Sequence, residues 1–177
     1  MFMLSNKNII ALIGLIIFSP VTLAANFDLG DINGCLAAAH KVKENTDFLK
    51  IEELLYKKEI IYEIEARDPK GVVWELECRA EGGGTIFKVT REVEDPSDPL
   101  FKEASGVSEE DARAKALAEV PGTLVETEYE RVIPGVSIYE FDIINDFGQI
   151  TRVEVNAVSG EIISVLIEEW EISWESH

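Results

Sequence analysis

Carboxylates dominate the chemistry this chain could perform. Thirty-four aspartates and glutamates stand against sixteen lysines and arginines in 177 residues. Several recur at every second position: Glu63 and Glu65, Glu75 and Glu77, Glu140 and Asp142, then Glu154. Such alternation puts them on one face of neighbouring strands. That face is either solvated outer surface, the simpler expectation, or a shallow acidic platform for a basic partner or a divalent cation. Like charges across adjacent strands oppose pairing, which is what makes a cation of interest. Calcium loops have a set ligand spacing, and Asp142-Ile143-Ile144-Asn145-Asp146 only suggests it. The reading therefore assigns no metal ligands and no cofactor.

Nucleophilic catalysis has little to work with. A serine or cysteine nucleophile needs a base, usually histidine, and only His40 and His177 are present. His40 lies near the end of an Ala-rich helix, where a cation complements the dipole, and His177 is the last residue. No His-Glu-x-x-His, Gly-x-Ser-x-Gly or Cys-x-x-Cys occurs. Gly82-Gly83-Gly84 lacks the spacing and following helix of a phosphate loop, so it reads as a hairpin turn. The expectation is a protein without catalytic residues, not an enzyme.

The elements that carry these residues come twice. Pro69-Lys70-Gly71-Val72-Val73-Trp74-Glu75-Leu76-Glu77-Cys78-Arg79-Ala80 is echoed by Asp146-Phe147-Gly148-Gln149-Ile150-Thr151-Arg152-Val153-Glu154-Val155-Asn156-Ala157. Tyr62-Glu63-Ile64-Glu65 is echoed by Tyr139-Glu140-Phe141-Asp142, at the same offset. Each copy opens with a helix, over Asp31 to Lys43 and then from the Ser108-Glu109-Glu110-Asp111 capping motif through Val120, where Pro121-Gly122 ends it. Strands are expected over Phe48–Lys57, Ile60–Arg67, Val72–Ala80 and Thr85–Glu94, and again over Thr123–Val132, Val136–Asn145, Gln149–Val158 and Glu161 to about Trp170. Trp74, Leu76, Cys78 and Ala80 share one face with Thr151, Val153, Val155 and Ala157 as counterparts. Val73, Glu75, Glu77 and Arg79 take the other. A sheet apolar on one side asks for one covering layer, which the helix of each copy supplies. Asp95-Pro96-Ser97-Asp98-Pro99 is a short stiff connector, favouring a fixed juxtaposition of the copies, with one longer joined sheet as one arrangement.

The amino-terminal residues read as an export signal. Lys7 precedes an apolar run from Ile9 to Phe18, Pro20 breaks it, and Thr22-Leu23-Ala24 places small residues for cleavage after Ala24. The run is too short to span a bilayer. Export puts Cys35 and Cys78 where a disulfide can last. A helix packed on its own sheet brings them within bonding range, and two buried free thiols are the alternative. The formal charge is −18, and removing residues 1–24 with their single lysine makes it −19. Such a field repels nucleic acid and anionic lipid and favours cationic partners. Apolar content of 46% excludes a disordered acidic tail.

The stretch Val107 to Leu166 resembles a PepSY domain: Ser-Glu-Glu leading an Ala-rich helix, Pro-Gly, Tyr-Glu-Phe-Asp, a hairpin glycine (Gly148), and Val153-Glu154-Val155-Asn156-Ala157-Val158-Ser159-Gly160-Glu161-Ile162. Asn156 stands where many members have Asp. Residues from about Ile32 to Glu94 resemble a divergent copy, with Arg79 in place of that acid, a triglycine for Ser-Gly, and no Pro-Gly after the helix. The resemblance implies an extracytoplasmic α+β fold of two tandem units, each one helix on a four-stranded antiparallel sheet. The pairing is similar to that of the secreted inhibitor of beta-lactamase. The expected division is a signal peptide at 1–24, a divergent PepSY-like domain at 25–94, a Pro-containing linker at 95–106 and a PepSY domain at 107–174. The family also implies a periplasmic or secreted binding protein that restrains a peptidase by occlusion. The loops Asp68–Gly71, Gly82–Gly84, Ile133–Gly135 and Asn145–Gly148 are its candidate contacts, and Trp170 and Trp174 extend an edge strand or anchor a partner. An envelope structural or assembly module without inhibitory action, or a weak divalent-cation binder, is the alternative.

Overall fold

A computed structural model describes residues 32–174. The export signal, the cut after Ala24, the Asp31 cap and His177 lie outside the described residues. Three helices and eight strands follow one another in the order α1 (Ile32–Val42), β1 (Asp47–Tyr56), β2 (Glu59–Arg67), β3 (Val73–Arg79), β4 (Thr85–Val93), α2 (Pro99–Lys102), α3 (Glu109–Glu119), β5 (Thr123–Val132), β6 (Ser137–Ile144), β7 (Ile150–Asn156) and β8 (Ile162–Ser173). Helix α3 is bounded as the sequence motif predicts. Ser108 accepts a hydrogen bond from the Asp111 amide at 3.1 Å and donates its hydroxyl to the Asp111 carboxylate at 2.6 Å.

The fold differs from two tandem helix-on-sheet units. All eight strands pair with their chain neighbours, and β8 pairs back onto β1, giving one closed antiparallel barrel. Two seams achieve this. At one, Thr90, Arg91, Glu92 and Val93 of β4 lie opposite Val132, Arg131, Glu130 and Tyr129 of β5. At the other, β1 from Lys50 to Leu55 lies against β8 from Ser173 to Ile167. Register irregularities between Phe48 and Lys50, Glu53 and Leu54, Glu77 and Cys78, Leu124 and Glu126, and Glu154 and Val155 supply the local bending that closure requires. Strand β8 is thus no edge strand. Trp170 packs on the core beside Tyr62, and the Trp174 amide donates to the Leu49 carbonyl at 2.8 Å.

Closure turns the sheet inside out relative to most small barrels. The apolar faces point outward, each under a helix. Helix α1 buries Ile32, Cys35 and Ala39 against Tyr62, Ile64, Ala66, Leu76 and Cys78. Helix α3 buries Ala112 and Ala116 against Tyr139, Phe141, Ile143, Val153 and Val155. The charged faces point inward, where an eight-stranded barrel has just enough room for side chains. The connector folds as well: Asp98 caps α2 and Pro99 opens it. Phe101 is fully buried between Tyr129 and Tyr139, and its carbonyl accepts from the Ser137 hydroxyl at 2.7 Å. Among the described residues no helix is long and apolar enough to cross a membrane.

Cys35 and Cys78 are joined by a disulfide, with their Cα atoms 5.7 Å apart. The bond pins α1 to β3 beside a tight backbone contact. A Cβ on Gly34 would sit 2.3 Å from the Gly83 carbonyl oxygen, and one on Gly84 would sit 2.3 Å from the Gly34 carbonyl carbon. Removing the bond with C35A/C78A is expected to cost about 2–4 kcal/mol of unfolding free energy. Urea denaturation of the oxidised protein and the double variant measures it.

Candidate functional site

Eight carboxyls are buried among the described residues: Glu52, Glu63, Glu75, Glu77, Glu130, Glu140, Asp142 and Glu154. The strand alternation that placed Glu63, Glu75, Glu77, Glu140, Asp142 and Glu154 on one face holds, but that face is the barrel interior and not solvated outer surface. Glu65 belongs to it too, nearer one mouth. Three cations offset them. Arg152 of β7 is itself almost fully buried and reaches four acids from three strands. Its Nη2 lies 3.0 Å from Glu52, its Nη1 2.5 Å from Glu63, and its Nε 2.6 Å from Glu140 and 3.2 Å from Asp142. Lys88 of β4 lies 2.6 Å from Glu77 and 3.3 Å from Glu130, and also contacts Glu154. Lys50 of β1 sits 3.4 Å from Glu52, 3.9 Å from Glu128 and 4.0 Å from Glu65.

The cations cannot neutralise every acid, so burial decides several proton equilibria. Burial pushes the Glu52 carboxyl up to about 8 despite Arg152 and Lys50. It raises Glu77 to about 7 despite Lys88, and Glu128 to about 7 despite Lys50. Glu75 and Glu140 are pushed well above the usual carboxylate range by burial and by neighbouring acids such as Glu130. For Glu130 burial also pulls upward, but Lys88 and the carboxyls of Glu75 and Glu140 that hydrogen-bond to it override this and hold it down at about 2. Within the layer, Thr90 donates its hydroxyl to Glu75 at 3.0 Å, and Ser164 donates to Glu154.

The two mouths differ. Leu54, Ile61 and Leu166, with Tyr56 beside them, form an apolar plug at one end. Gly82–Gly84 and Ile133–Gly135 turn at that end, the Ile133–Pro134 bond being cis. The other end is acidic, with Glu65, Glu92, Glu126, Glu128 and Glu168 around Lys50; burial raises Glu65, Glu92 and Glu168 as well. Asp68–Gly71 and Asn145–Gly148 turn here. The four candidate loops are therefore split two and two and do not form one surface.

One of them stands out. Asn145 accepts from the Phe147 amide at 2.9 Å and the Gln149 amide at 3.1 Å, while the Gly148 amide donates to the Asn145 carbonyl at 3.0 Å. Gly148 takes φ +83°, the left-handed conformation such a turn requires. The result is a braced hairpin holding the Phe147 ring 95% exposed. Glu168 and Glu169 lie beside it. Asp142 points into the barrel towards Arg152 while Asn145 braces this turn, so the two are not fellow ligands in a loop site. His40 packs against Phe48 with the rings tilted and their centroids 4.5 Å apart. Sequence reasoning missed Lys50, Lys88, Glu52 and Glu130 as members of the interior network, and it did not single out Phe147. The signal for the cations was there: each basic residue alternates in phase with acids of the same strand.

Residues 106–166 match the family model PepSY, described as the peptidase propeptide and YPEB domain. The matched stretch runs from just before α3 into β8 and takes in the sequence motifs that resemble a PepSY domain. A putative lipoprotein from Clostridium difficile 630 is similar in structure over 73% of this chain and 88% of its own, at 17% identity and a TM-score of 0.32. No curated protein matches the sequence.

Two outcomes are expected from the interior network. A carboxyl with a raised folded value favours folding below its unfolded pKa, near 4.5, and that contribution fades as pH rises through the folded value. Glu52, Glu77 and Glu128 therefore make the protein less stable as pH climbs from about 5 to 8. Glu130, with its lowered value, contributes stability that is lost as pH falls from 4.5 towards 2. Thermal melts in metal-free buffer should give the highest Tm near the lower end of the first window. Arg152→Met leaves four carboxyls without their shared cation and should cost about 3–5 kcal/mol at pH 7. Urea denaturation across pH should show that loss shrinking in acid.

Proposed function

We propose that this protein is an extracytoplasmic binding module of the PepSY type that restrains a peptidase by occlusion, without catalysing a reaction itself. The observation that carries the reading is the braced Asn145–Gly148 hairpin with its exposed phenylalanine. An aromatic side chain carried on a backbone fixed in advance adds contact area at less ordering cost than one on a flexible loop. Hairpin and acidic mouth share one end of the barrel, so the complementary surface is an apolar pocket rimmed by lysine or arginine. The long-range field of a strongly anionic protein steers such a cationic partner towards it. Export fits the buried disulfide, which persists in oxidising compartments. The peptidase as target rests on the PepSY segment at residues 106–166.

The test is capture of bound proteins from envelope extract, followed by assay of any captured peptidase with purified protein added. Inhibition that saturates at one to one is expected. Phe147→Ala should weaken it by about 2 kcal/mol or more, which is roughly thirtyfold. Because the ring touches no core cluster, the variant's Tm should equal that of the parent. Captured envelope structural proteins with no peptidase among them, or unchanged proteolysis together with altered envelope integrity in a deletion strain, would instead indicate an assembly module.

A further inference from the structure

The seam between β4 and β5 is shorter than the strands that form it. They run for 9 and 10 residues, yet only Thr90–Val93 and Tyr129–Val132 lie opposite each other. The pairing falls at the carboxyl-terminal end of both strands, so each overhangs the other. Residues Thr123–Glu128 of β5 follow β6 on one side and no strand on the other. Among the described residues, no turn or loop backbone group bonds to this stretch either. Open amides and carbonyls along such an edge are a template for another extended chain. The overhang stands at the acidic mouth, where Thr123 lies opposite Ile144, the residue before the Asn145–Gly148 turn. Its inward face is acidic: Glu128 lies 3.9 Å from Lys50, and Glu126 is close enough to Glu65 and Glu92 to act on both electrostatically. Thr127 faces outward by alternation, and Val125 is 53% exposed. The matching overhang of β4, Thr85–Lys88, differs in charge, since it carries Lys88 and has Arg79 lying over Phe87.

We propose that the open edge of β5 at Thr123–Glu128 takes up an extended segment of a partner protein as an added strand, with basic residues alternating with β-branched ones. This rests on the acidic mouth being the docking end, as assigned above, but not on the partner being a peptidase. Main-chain pairing supplies affinity in strand addition, and alternate side chains supply selectivity. Inward residues of the added strand stand opposite Glu126 and Glu128, and opposite charges across a strand pair attract. Outward residues stand beside Thr127, where β-branched side chains suit a pleated surface. A second copy of this chain fits the edge poorly. Self-pairing would set Glu126 and Glu128 against the same glutamates, and like charges directly opposite oppose pairing. The edge exists because closure is achieved by four residue pairs at this seam, which leaves the first part of β5 standing above the end of β4.

The probe is an acetylated, amidated hexapeptide of alternating lysine and valine, added to the purified full chain. Isothermal titration is expected to show saturable binding, with slowed amide hydrogen exchange in residues 123–128. The same peptide with its backbone amides N-methylated keeps its charge but loses its donors, and should bind at least about tenfold more weakly. Val125→Lys places a charge on the edge that repels the peptide's lysines. It should weaken the parent peptide by about the same factor and leave Tm unchanged, because that side chain is half exposed. Equal affinity for the N-methylated peptide would show charge attraction alone and overturn the proposal. So would no binding at millimolar peptide, or a dimer of this chain that Val125→Lys dissolves, which would make a second copy the occupant. A captured peptidase without peptide binding would sink strand addition and leave the proposed function standing; peptide binding without a captured peptidase would do the reverse.

Discussion

The constraint that organises this molecule is the burial of charge inside a closed sheet. An arginine placed alone in a low-dielectric interior would cost more than most single contacts return. Arg152 is tolerated because strands from both halves of the chain bring it carboxylates: Glu52 from β1, Glu63 from β2, and Glu140 and Asp142 from β6. The bidentate and orthogonal donors of a guanidinium make it the side chain suited to hold several carboxylates from different directions. Lys88 performs the corresponding role between β3, β5 and β7. These ion pairs cross both halves of the chain, so neither half can satisfy its interior without the other. That mutual dependence is a physical reason for one barrel in place of two independent units.

The same constraint explains what the sequence could and could not disclose. Element positions were legible because they follow local chemistry: the Ser108 cap, the glycines at hairpin turns, and the alternation of Trp74, Leu76 and Cys78 against Glu75 and Glu77. Closure was not, because it depends on β4 meeting β5 and β8 meeting β1, seams with no local signal. Alternation of glutamate with isoleucine says that one face is polar. It is silent on whether that face looks at water or at the opposite wall of a barrel. The expectation of a solvated outer face therefore failed on orientation and not on which residues share it. Lys50, Lys88 and Arg152 were the residues from which the alternative could have been read. A solvated acidic face has no need of a cation placed in phase at the centre of its strands.

Stability and surface chemistry are separated in space. The helices, the disulfide and the two apolar clusters lie outside the barrel and hold its wall. Leu54, Ile61 and Leu166 form an apolar cluster at one end of the barrel, while Glu65, Glu92 and Glu168 gather at the other. At that open end the Asn145–Gly148 turn braces Phe147 with hydrogen bonds from its own backbone, not with contacts to the core. A surface aromatic held in this way can change without disturbing the fold. The buried acids cannot, because each is tied through a shared cation to several others.

Excess negative charge inside the wall links the two regions. Eight buried acids face three cations, and the low dielectric that makes the imbalance costly also lets its field extend through the mouth with less screening than surface charges suffer. Protons that neutralise the interior must also weaken the field at the rim beside Phe147. A cationic partner docking there would in turn favour the more ionised interior, since coupling between two sites is reciprocal. Partner affinity and interior charge state are thus two readings of one electrostatic quantity, set by how many carboxylates the closed sheet surrounds.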